Sequence, residues 1–330
     1  MTEPYDTPAT APEESPVAGR VADATDANWV DRFAPPWARP YLRLSRADRP
    51  AGTWLLLLPC WWGLGLGVVV AGGWSPLAVW IALGCAAGAF LMRGAGCTWN
   101  DLSDVKFDAA VARTKSRPLP SGQVTKRQAF AWLVFQALIA FAILLTFPPV
   151  AIALGVLSLL PVAVYPFAKR FTWWPQVFLG LAFNWGALLA YAAVTGRVDW
   201  GAGFLYVAGI AWTLFYDTIY AHQDKEDDAL IGVKSTARLF GAATGKWLFG
   251  FLAATVTLAA AGIIVALVPL GATWPMLIGL VGVWGFGLHM MWQMRGLDID
   301  DPAKCLVIFR SNRDAGLILA VTLLLSGLFA

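Results

Sequence analysis

Charge is scarce in this sequence: only 14% of its 330 residues are Asp, Glu, Lys or Arg, whereas 58% are hydrophobic. Soluble globular domains carry about 25% charged residues, so the composition argues against a protein surrounded by water. The four cysteines include no C-x-x-C pair, and we interpret them as buried apolar side chains rather than a disulfide or zinc framework. The net charge of +3 gives no reason to expect a nucleic-acid partner. The composition therefore predicts that membrane lipid surrounds most of the chain, and the 18 tryptophans fit the membrane interface.

The N-terminal segment lacks the features of targeting sequences. Residues 1–35 contain no apolar run, which argues against a secretory signal peptide. They carry seven acidic residues, whereas mitochondrial transit peptides are rich in Arg and poor in acids. We therefore expect a disordered acidic tail at 1–35, a transmembrane domain at 36–330, and a location in a bacterial cytoplasmic (inner) membrane.

Nine apolar segments follow the tail, each close to the length of about 20 residues that a helix needs to cross a bilayer core. They are 52–71, 77–98, 128–147, 150–167, 175–194, 202–221, 245–268, 274–294 and 314–330. The predicted fold class is therefore all-α, a polytopic membrane bundle of nine transmembrane helices.

Positive charge alternates between the links that join these segments. Of the 24 Lys and Arg residues, 22 lie before the first segment, in the links after the even-numbered segments or, for Lys246, at the start of the seventh segment beside such a link. Arg93 lies within the second segment, and Arg197 lies on the opposite side. Because cytoplasmic loops carry the excess of Lys and Arg, we expect the N-terminus and the charged loops to face the cytoplasm.

Two rows of polar residues stand where the second and sixth apolar segments end. The first row is Asn100, Asp101, Asp104 and Asp108, and the second is Asp217, Tyr220, Asp224 and Asp228. Residues three and four apart share one face of a helix, so each row predicts an oxygen-rich stripe. Neighbouring carboxylates repel one another near lipid, and oxygen ligands suit Mg²⁺ bound to phosphate. One such row alone could be a solvated helix face, whereas two rows indicate a metal site.

Cations follow both rows. They are Arg113, Lys115 and Arg117 after the first row, and Lys225, Lys234 and Arg238 after the second. Guanidinium and ammonium groups bind phosphate oxygens directly, so metal and cations together predict a diphosphate site. The alternative for single Lys and Arg residues beside a membrane is a topological signal or a lipid contact.

The same stretches resemble the UbiA superfamily of intramembrane prenyltransferases. N-D-L-S-D-V-K-F-D from residue 100, followed by R-T-K-S-R-P-L-P-S-G, resembles its first aspartate-rich motif and loop. D-T-I-Y-A-H-Q-D-K-E-D-D-A-L-I-G-V-K-S-T-A from residue 217 resembles the second, in the branch that prenylates 4-hydroxybenzoate for ubiquinone. R-A-D-R-P-A-G-T from residue 46, Y-P-F-A-K-R-F-T-W-W-P-Q from residue 165 and F-R-S-N from residue 309 are also similar to that branch.

The resemblance implies a central cavity capped by cytoplasmic loops and a Mg²⁺-dependent transfer from polyprenyl diphosphate to the carbon ortho to the hydroxyl of 4-hydroxybenzoate. It also allows contacts with other enzymes of the ubiquinone pathway. The residues on the metal-binding positions of the family are Asn100, Asp104, Asp108, Asp224 and Asp228. The residues in its diphosphate-contacting loops are Arg113, Lys115, Arg117 and Lys234.

For this acceptor we expect further roles inside the bundle. Asp217, with Tyr220 beside it, is the candidate base for the phenol, and a further metal ligand is the alternative role for Asp217. Arg49 and Arg93 are candidates for binding the acceptor's carboxylate, although Arg93 could merely neutralise the acidic row. Asn184 could line the same cavity or make a helix–helix hydrogen bond.

Two other functions remain open at this point. One is a related prenyltransferase that acts on another aromatic acceptor. The other is a polytopic cation-coupled or proton-coupled transporter, which would more often place its carboxylates near the bilayer midplane than at helix ends.

Overall fold

The computed structural model describes residue 21, residues 24–25, residues 27–110 and residues 114–330. These residues form helices and loops with no β-strand among them. Within this described part, nine helical stretches are long and apolar enough to cross a membrane, which confirms the predicted all-α bundle. The spans are Ala51–Val70, Pro76–Val105, Lys126–Leu144, Pro149–Phe171, Pro175–Thr195, Trp200–Leu230, Thr236–Leu270, Thr273–Gly296 and Pro302–Phe329.

The individual helices are numbered in chain order. They are α1 (Trp29–Phe33), α2 (Arg39–Leu44), α3 (Ala51–Val70), α4 (Pro76–Ala110), α5 (Lys126–Leu144), α6 (Pro149–Leu157), α7 (Leu159–Phe171), α8 (Pro175–Thr195), α9 (Trp200–Ala221), α10 (Lys225–Leu230), α11 (Thr236–Phe240), α12 (Thr244–Leu267), α13 (Thr273–Gly296) and α14 (Pro302–Ser326). The fourth span is thus made of two helices, α6 and α7, which meet at Ser158. Pro161 follows three residues later, and its ring cannot fit beside the carbonyl of Leu157 in an unbroken helix.

Local signals in the sequence fix several helix ends. Thr125 and Gln128 form a capping box at the start of α5. The Asp199 side chain accepts hydrogen bonds from the first backbone amides of α9. Gly196 ends α8 in the left-handed region, at φ +74°, where a side chain would be strained. These three helix ends are therefore determined by residues next to them in the sequence.

The core lies between α3, α8, α9, α12, α13 and α14. Trp62 of α3 and Trp212 of α9 meet there with ring centroids 4.9 Å apart, and both are fully buried. The Trp212 indole N–H donates to the Asn312 side chain at 2.9 Å, so this buried polar atom is satisfied. A Cβ on Gly63 would lie 2.0 Å from the Ala187 carbonyl oxygen, so glycine permits the close contact of α3 with α8. By contrast, α5 turns large apolar side chains such as Phe130 and Leu138 outward, as a lipid-facing helix does.

Two predicted boundaries are wrong. The last span was expected at 314–330, but α14 begins at Pro302 because Asp301 caps it and the charged residues of its first half lie in a continuous helix. The tail was expected to be disordered through residue 35, but α1 lies inside that range, and its Val30 is fully buried. Residues 1–20, 22–23 and 26 of the predicted tail lie outside the described residues.

Candidate active site

A polar cavity of about 240 Å³ lies at the end of the bundle where α4 and α9 end, which we call the loop end. Its walls come from the junction of α2 and α3 and from α4, α7, α8, α9 and α14. Asn100 and Arg117 from the first motif region line it, as do Asp217 and Tyr220 from the second. The structure therefore brings the two motif-bearing helix ends to one cavity.

Arginine dominates the lining of this cavity. The guanidinium residues among the lining side chains are Arg46, Arg49, Arg93, Arg117 and Arg310. Among the described lining residues, Asp217 is the one carboxylate. So many cations around so small a space favour a strongly anionic ligand.

The first acidic row lies on one unbroken helix, as predicted, since α4 continues through Ala110. Asp101 is fully buried, and its Oδ1 accepts from Arg46 at 2.5 Å and lies 3.5 Å from an Arg117 nitrogen. Asp108 binds the same Arg117, with both carboxylate oxygens 3.0 Å from one nitrogen. Burial raises the pKa of Asp108 above its ordinary value, and Arg117 opposes that shift.

Asp104 faces a different set of cations. It is fully buried and binds Lys169 at 2.5 Å and Arg170 at 3.3 Å, both from the end of α7. The guanidinium of Arg170 also stacks over Phe107 and Phe167. Single Lys and Arg residues near a membrane end are usually topological signals, but here these two compensate a buried carboxylate.

The second row does not form the single helical stripe that its spacing predicts. The helix α9 ends at Ala221, residues His222–Asp224 form a 3-10 turn, and α10 starts at Lys225. The reason is local: Asp224 takes φ −111° and ψ 10°, which an α-helix cannot continue through. Asp217 and Tyr220 therefore line the cavity from α9, while Asp224 and Asp228 lie on two later short elements and are not among its lining residues.

The residues predicted to bind diphosphate are distributed unevenly. Arg117 lines the cavity, whereas Lys115 is exposed at the surface of the same loop. The Lys234 side chain donates to the Phe171 carbonyl at 3.4 Å, and its backbone N–H donates to the Lys169 carbonyl. Arg113 lies outside the described residues.

Of the residues predicted to bind the acceptor, two line the cavity. Arg49 does so, and burial lowers its pKa to about 10. The Arg93 guanidinium lies over the Phe183 ring at 5.2 Å and against Gly52, where an added Cβ would be 2.5 Å from it. Asn184 is instead buried between α8 and α9, where it donates to the Gly180 carbonyl and to Thr213, each at 2.8 Å. Its position supports the helix–helix alternative.

Several lining residues were not predicted from the sequence, and among them are Arg46, Tyr165 and Arg310. Each of these three falls within a stretch that carries the family resemblance, but outside the acidic rows on which the site was built. Arg310 lies inside a membrane span in the structure, where an ionisable residue is functional by default, but the span predicted from the sequence begins only at residue 314.

A second, apolar cavity of about 410 Å³ adjoins the first. It lies between α4, α5, α6, α7 and α8, and it shares Arg93, Tyr165 and Phe183 with the polar cavity. Its wall includes Leu138 and Phe141, which are 61% and 43% exposed on the lipid-facing side of α5. A hydrocarbon could therefore reach the polar cavity from the membrane without crossing water.

The carboxylate oxygens of the first acidic row are the kind of ligand atoms that a cation such as Mg²⁺ binds. Asp101 Oδ2 is buried with no hydrogen-bond partner, and Asp104 and Asp108 offer further carboxylate oxygens. In the part of the chain that is described, no three His, Cys, Asp or Glu side chains converge on one point. A cation at these residues would therefore replace the Lys and Arg partners that Asp104 and Asp108 now have.

Comparison with known proteins agrees with this geometry. The model of the UbiA prenyltransferase family matches residues 56–313. The mitochondrial 4-hydroxybenzoate polyprenyltransferase of Bos taurus is 48% identical over 91% of this chain and 78% of its own length. The protein of that name in Homo sapiens is 45% identical over 94% of this chain and 81% of its own. The Aedes aegypti protein of that name is 47% identical over 88% of this chain and 64% of its own length, so the chain spans slightly less than two thirds of that relative.

Solved structures share the fold. A UbiA homolog from Aeropyrum pernix K1 superposes with a TM-score of 0.67 at 23% identity, over 82% of this chain and 97% of that one. A UbiA homolog from Archaeoglobus fulgidus bound to GPP and Mg²⁺ superposes with a TM-score of 0.65 at 21% identity, over 88% of this chain and 98% of that one. The family resemblance and the prenyltransferase class predicted from the sequence are confirmed.

Proposed function

Because the chain belongs to the UbiA prenyltransferase family, we propose that it is a 4-hydroxybenzoate polyprenyltransferase. It transfers a polyprenyl group from a polyprenyl diphosphate to the ring carbon ortho to the hydroxyl. The observation that carries this function is the cavity lined by five arginines, which adjoins an apolar cavity reaching the lipid-facing side. One space suits a diphosphate and a small aromatic acid, and the other suits a hydrocarbon chain.

The first step breaks the bond between the allylic carbon and the diphosphate oxygen. Negative charge develops on the leaving diphosphate, so cations fixed in place stabilise the transition state more than the ground state. Arg117 is held for this role by Asp101 and Asp108. Arg46 and Arg310 add positive charge to the same cavity without any reorganisation of solvent.

The acidic residues of the two motifs would add a bound Mg²⁺ to the charges that assist this step. We assign Asn100, Asp104, Asp108, Asp224 and Asp228 as the residues that would hold it. When bound, the ion supplies additional neutralisation of the diphosphate charge. A homolog of the same fold from Archaeoglobus fulgidus was solved with GPP and Mg²⁺ bound, which supports a role for the ion but identifies none of its ligands in this chain.

The second step forms the carbon–carbon bond. The ring carbon attacks the allylic cation, and its proton then passes to the released diphosphate, which restores the aromatic ring. A phenolate is a stronger nucleophile than a phenol. We place Asp217 as the base that accepts the phenol proton, with Tyr220 beside it, because both line the cavity. Arg49 and Arg93 pair with the carboxylate of the acid.

The remaining assignments concern the setting of the enzyme. We propose that the chain acts in ubiquinone biosynthesis, in contact with other enzymes of that pathway. We also propose that it lies in a bacterial cytoplasmic membrane with the loop end in the cytoplasm, as the distribution of Lys and Arg favours. The relatives named above are mitochondrial proteins. The membrane in which the tagged chain accumulates, and the face on which its loops can be labelled, would test this placement.

The function is tested with membranes that contain the full chain. They are incubated with labelled 4-hydroxybenzoate, a polyprenyl diphosphate and Mg²⁺, with and without a chelator. We expect a carbon-prenylated acid that disappears with chelator and returns when Mg²⁺ is restored. Prenylation of a naphthoate or homogentisate in place of 4-hydroxybenzoate would support a related acceptor and overturn this one.

A further inference from the structure

Two arginines of the polar cavity, Arg46 and Arg49, lie on a turn between α2 and α3. We call residues 43–49 the cation loop. Arg46 sits in the left-handed region at φ +58°, which is unfavourable for a residue with a side chain. Such a conformation persists only where surrounding contacts determine it. The contacts that hold this loop therefore decide where its two guanidinium groups point.

One set of contacts comes from α5. The Ser45 hydroxyl donates to the Gln136 side chain at 2.9 Å, and the Trp132 indole N–H donates to the Ser45 oxygen at 2.8 Å. Leu44 packs into a small apolar cluster with Leu119 and Val124. These contacts fix the first part of the cation loop against the bundle.

The other set comes from the N-terminal segment. We call the described residues between 21 and 34 the strap. The Thr25 hydroxyl donates to the Asp48 carbonyl at 2.8 Å, and the Trp29 indole N–H donates to the Ala47 carbonyl at 2.9 Å. Beneath these bonds, Val30 of the strap is fully buried in a cluster that includes Ala47.

The strap also supplies an ion pair. Asp31 Oδ1 accepts from Arg43 at 2.8 Å, and Arg43 is only 2% exposed. The carbonyl of Arg43 accepts in turn from the Arg46 backbone and side chain, at 3.1 and 3.3 Å. Asn28 bonds both the backbone and the carboxylate of Asp31, so the acid is itself held in place.

From these contacts we infer that the strap positions the arginines of the active site, with Thr25, Trp29 and Asp31 as positioning residues for Arg46 and Arg49. None of the three lines the cavity, so they act through the backbone of the cation loop. In that loop Arg43, Ala47 and Asp48 contact the strap. Leu44 and Ser45 contact the bundle, and Arg46 and Arg49 line the cavity. The inference rests on the proposed function, because it assigns these arginines to the reaction.

The consequence is a defect in catalysis rather than in folding. In Asp31→Asn the Arg43 guanidinium loses the carboxylate that lies 2.8 Å from it. We expect the KM for 4-hydroxybenzoate to rise about fivefold through Arg49 and kcat to fall severalfold through Arg46, which is assigned to the leaving diphosphate. Trp29→Phe keeps the ring but removes the donor to Ala47, and we expect a smaller shift in the same direction. Asp31→Glu keeps the charge and should restore most of the wild-type KM.

The experiment compares these variants with two matched controls in the full chain. Asp300→Asn removes a charge from an exposed loop, and Trp37→Phe alters an exposed ring, so neither should change KM. Hydrogen exchange is measured in parallel. It should quicken over residues 43–49 in Asp31→Asn and stay unchanged in the core helices α3, α9 and α14. A loss of active protein with unchanged KM, or faster exchange throughout, would show that the strap only stabilises the fold.

The test separates this inference from the proposed function. A wild-type protein that prenylates 4-hydroxybenzoate while Asp31→Asn has the same KM overturns the strap's role and leaves the function intact. A wild-type protein without product overturns the function. In that case, calorimetric binding of 4-hydroxybenzoate and of inorganic diphosphate is compared between wild type and Asp31→Asn, and equal affinities refute the positioning role.

Discussion

The ends of α4 and α9 carry oxygen-bearing residues at similar spacing, yet they are built differently. On α4 the helix continues past the acids, and each buried carboxylate has a named cation from another element: Arg46 and Arg117 for Asp101, Lys169 for Asp104. On α9 the helix stops at Ala221, so the row is divided between the cavity wall and two short elements. Equal spacing therefore gives a continuous helix with paired carboxylates at the end of α4, which we call the α4 edge. At the end of α9 it gives a helix interrupted by a 3-10 turn, which we call the α9 edge.

This difference suggests a division of labour. The end of α4 is bound into the bundle by ion pairs to the cation loop, to α7 and to the loop that follows α4, so changes there should affect stability as well as chemistry. The end of α9 places Asp217 and Tyr220 in the cavity wall, and its later acids follow on a 3-10 turn and a short helix. The predictions below test that division, beginning with the largest expected effect.

Removing one acid from each motif should abolish the reaction. We expect Asp104→Ala and Asp224→Ala each to lower kcat roughly 1000-fold, because each removes a carboxylate assigned to Mg²⁺. Product formation in detergent-solubilised protein measures this, and size-exclusion chromatography checks the fold. If Asp224→Ala keeps its activity, the α9 edge does not hold the metal and the comparison fails on that side.

Stability should depend on the α4 edge alone. Asp101 is buried between two arginines, and Asp101→Asn removes the carboxylate that pairs with Arg46 at 2.5 Å, while Arg117 keeps Asp108. Loss of a charge partner in a buried pair costs about 3 kcal/mol. Thermal unfolding in detergent should show a clearly lower Tm. The matched change in the other motif is Asp227→Asn, which is half-buried on α10 and should leave Tm unchanged. Equal shifts in the two variants would contradict the proposed difference.

The loss of a cation should lower activity more on the α4 side of the cavity than on the α9 side. Arg117 lines the cavity and is held by two carboxylates, whereas the Lys234 side chain reaches a backbone carbonyl. We expect Arg117→Ala to lower kcat/KM for the polyprenyl diphosphate about 30-fold and Lys234→Ala to lower it about threefold. Steady-state kinetics at saturating acceptor measures both. A larger effect at Lys234 would indicate that the α9 side moves closer when the substrate binds.

The smallest effect concerns Asp48, which belongs to neither motif. It is 1% exposed and 3.6 Å from Arg49, and burial raises its pKa to about 6. The folded protein therefore binds this proton more tightly than the unfolded chain, and the stability this gives is lost as pH rises through about 6. We expect Asp48→Asn to raise Tm by a few degrees at pH 7.5 and by less at pH 5. If the Tm advantage of Asp48→Asn over wild type grew at lower pH, the pKa of Asp48 would not be raised in the folded protein.

Much of the fold was predictable, because nine long apolar runs leave a chain few other choices in lipid. The errors fell where charge interrupts those runs. Arg310 and Arg313 lie inside α14 and hide its first half from a hydropathy count. Val30 is an isolated apolar residue in an acidic segment, and only the fold provides the neighbours that bury it.

The site was predictable to the level of its two helix ends. The α4 stripe followed from spacing since nothing between Asn100 and Asp108 interrupts the helix. Which cation faces which acid did not follow, because Lys169 lies 65 residues from Asp104 in the chain. Nor does spacing show that the backbone turns at Asp224, since the same residues are compatible with a longer helix.

The two cavities meet at Arg93, Tyr165 and Phe183, and the larger one reaches the outer side of α5. Moving a methylene group from an apolar phase into water costs about 0.8 kcal/mol. A route that stays within hydrocarbon avoids that penalty for every unit of the chain, so the free energy of capturing the donor is nearly independent of how many units it has. Selection for tail length by this enzyme would then reflect which donors the surrounding bilayer contains, with the protein itself reading only the reactive end.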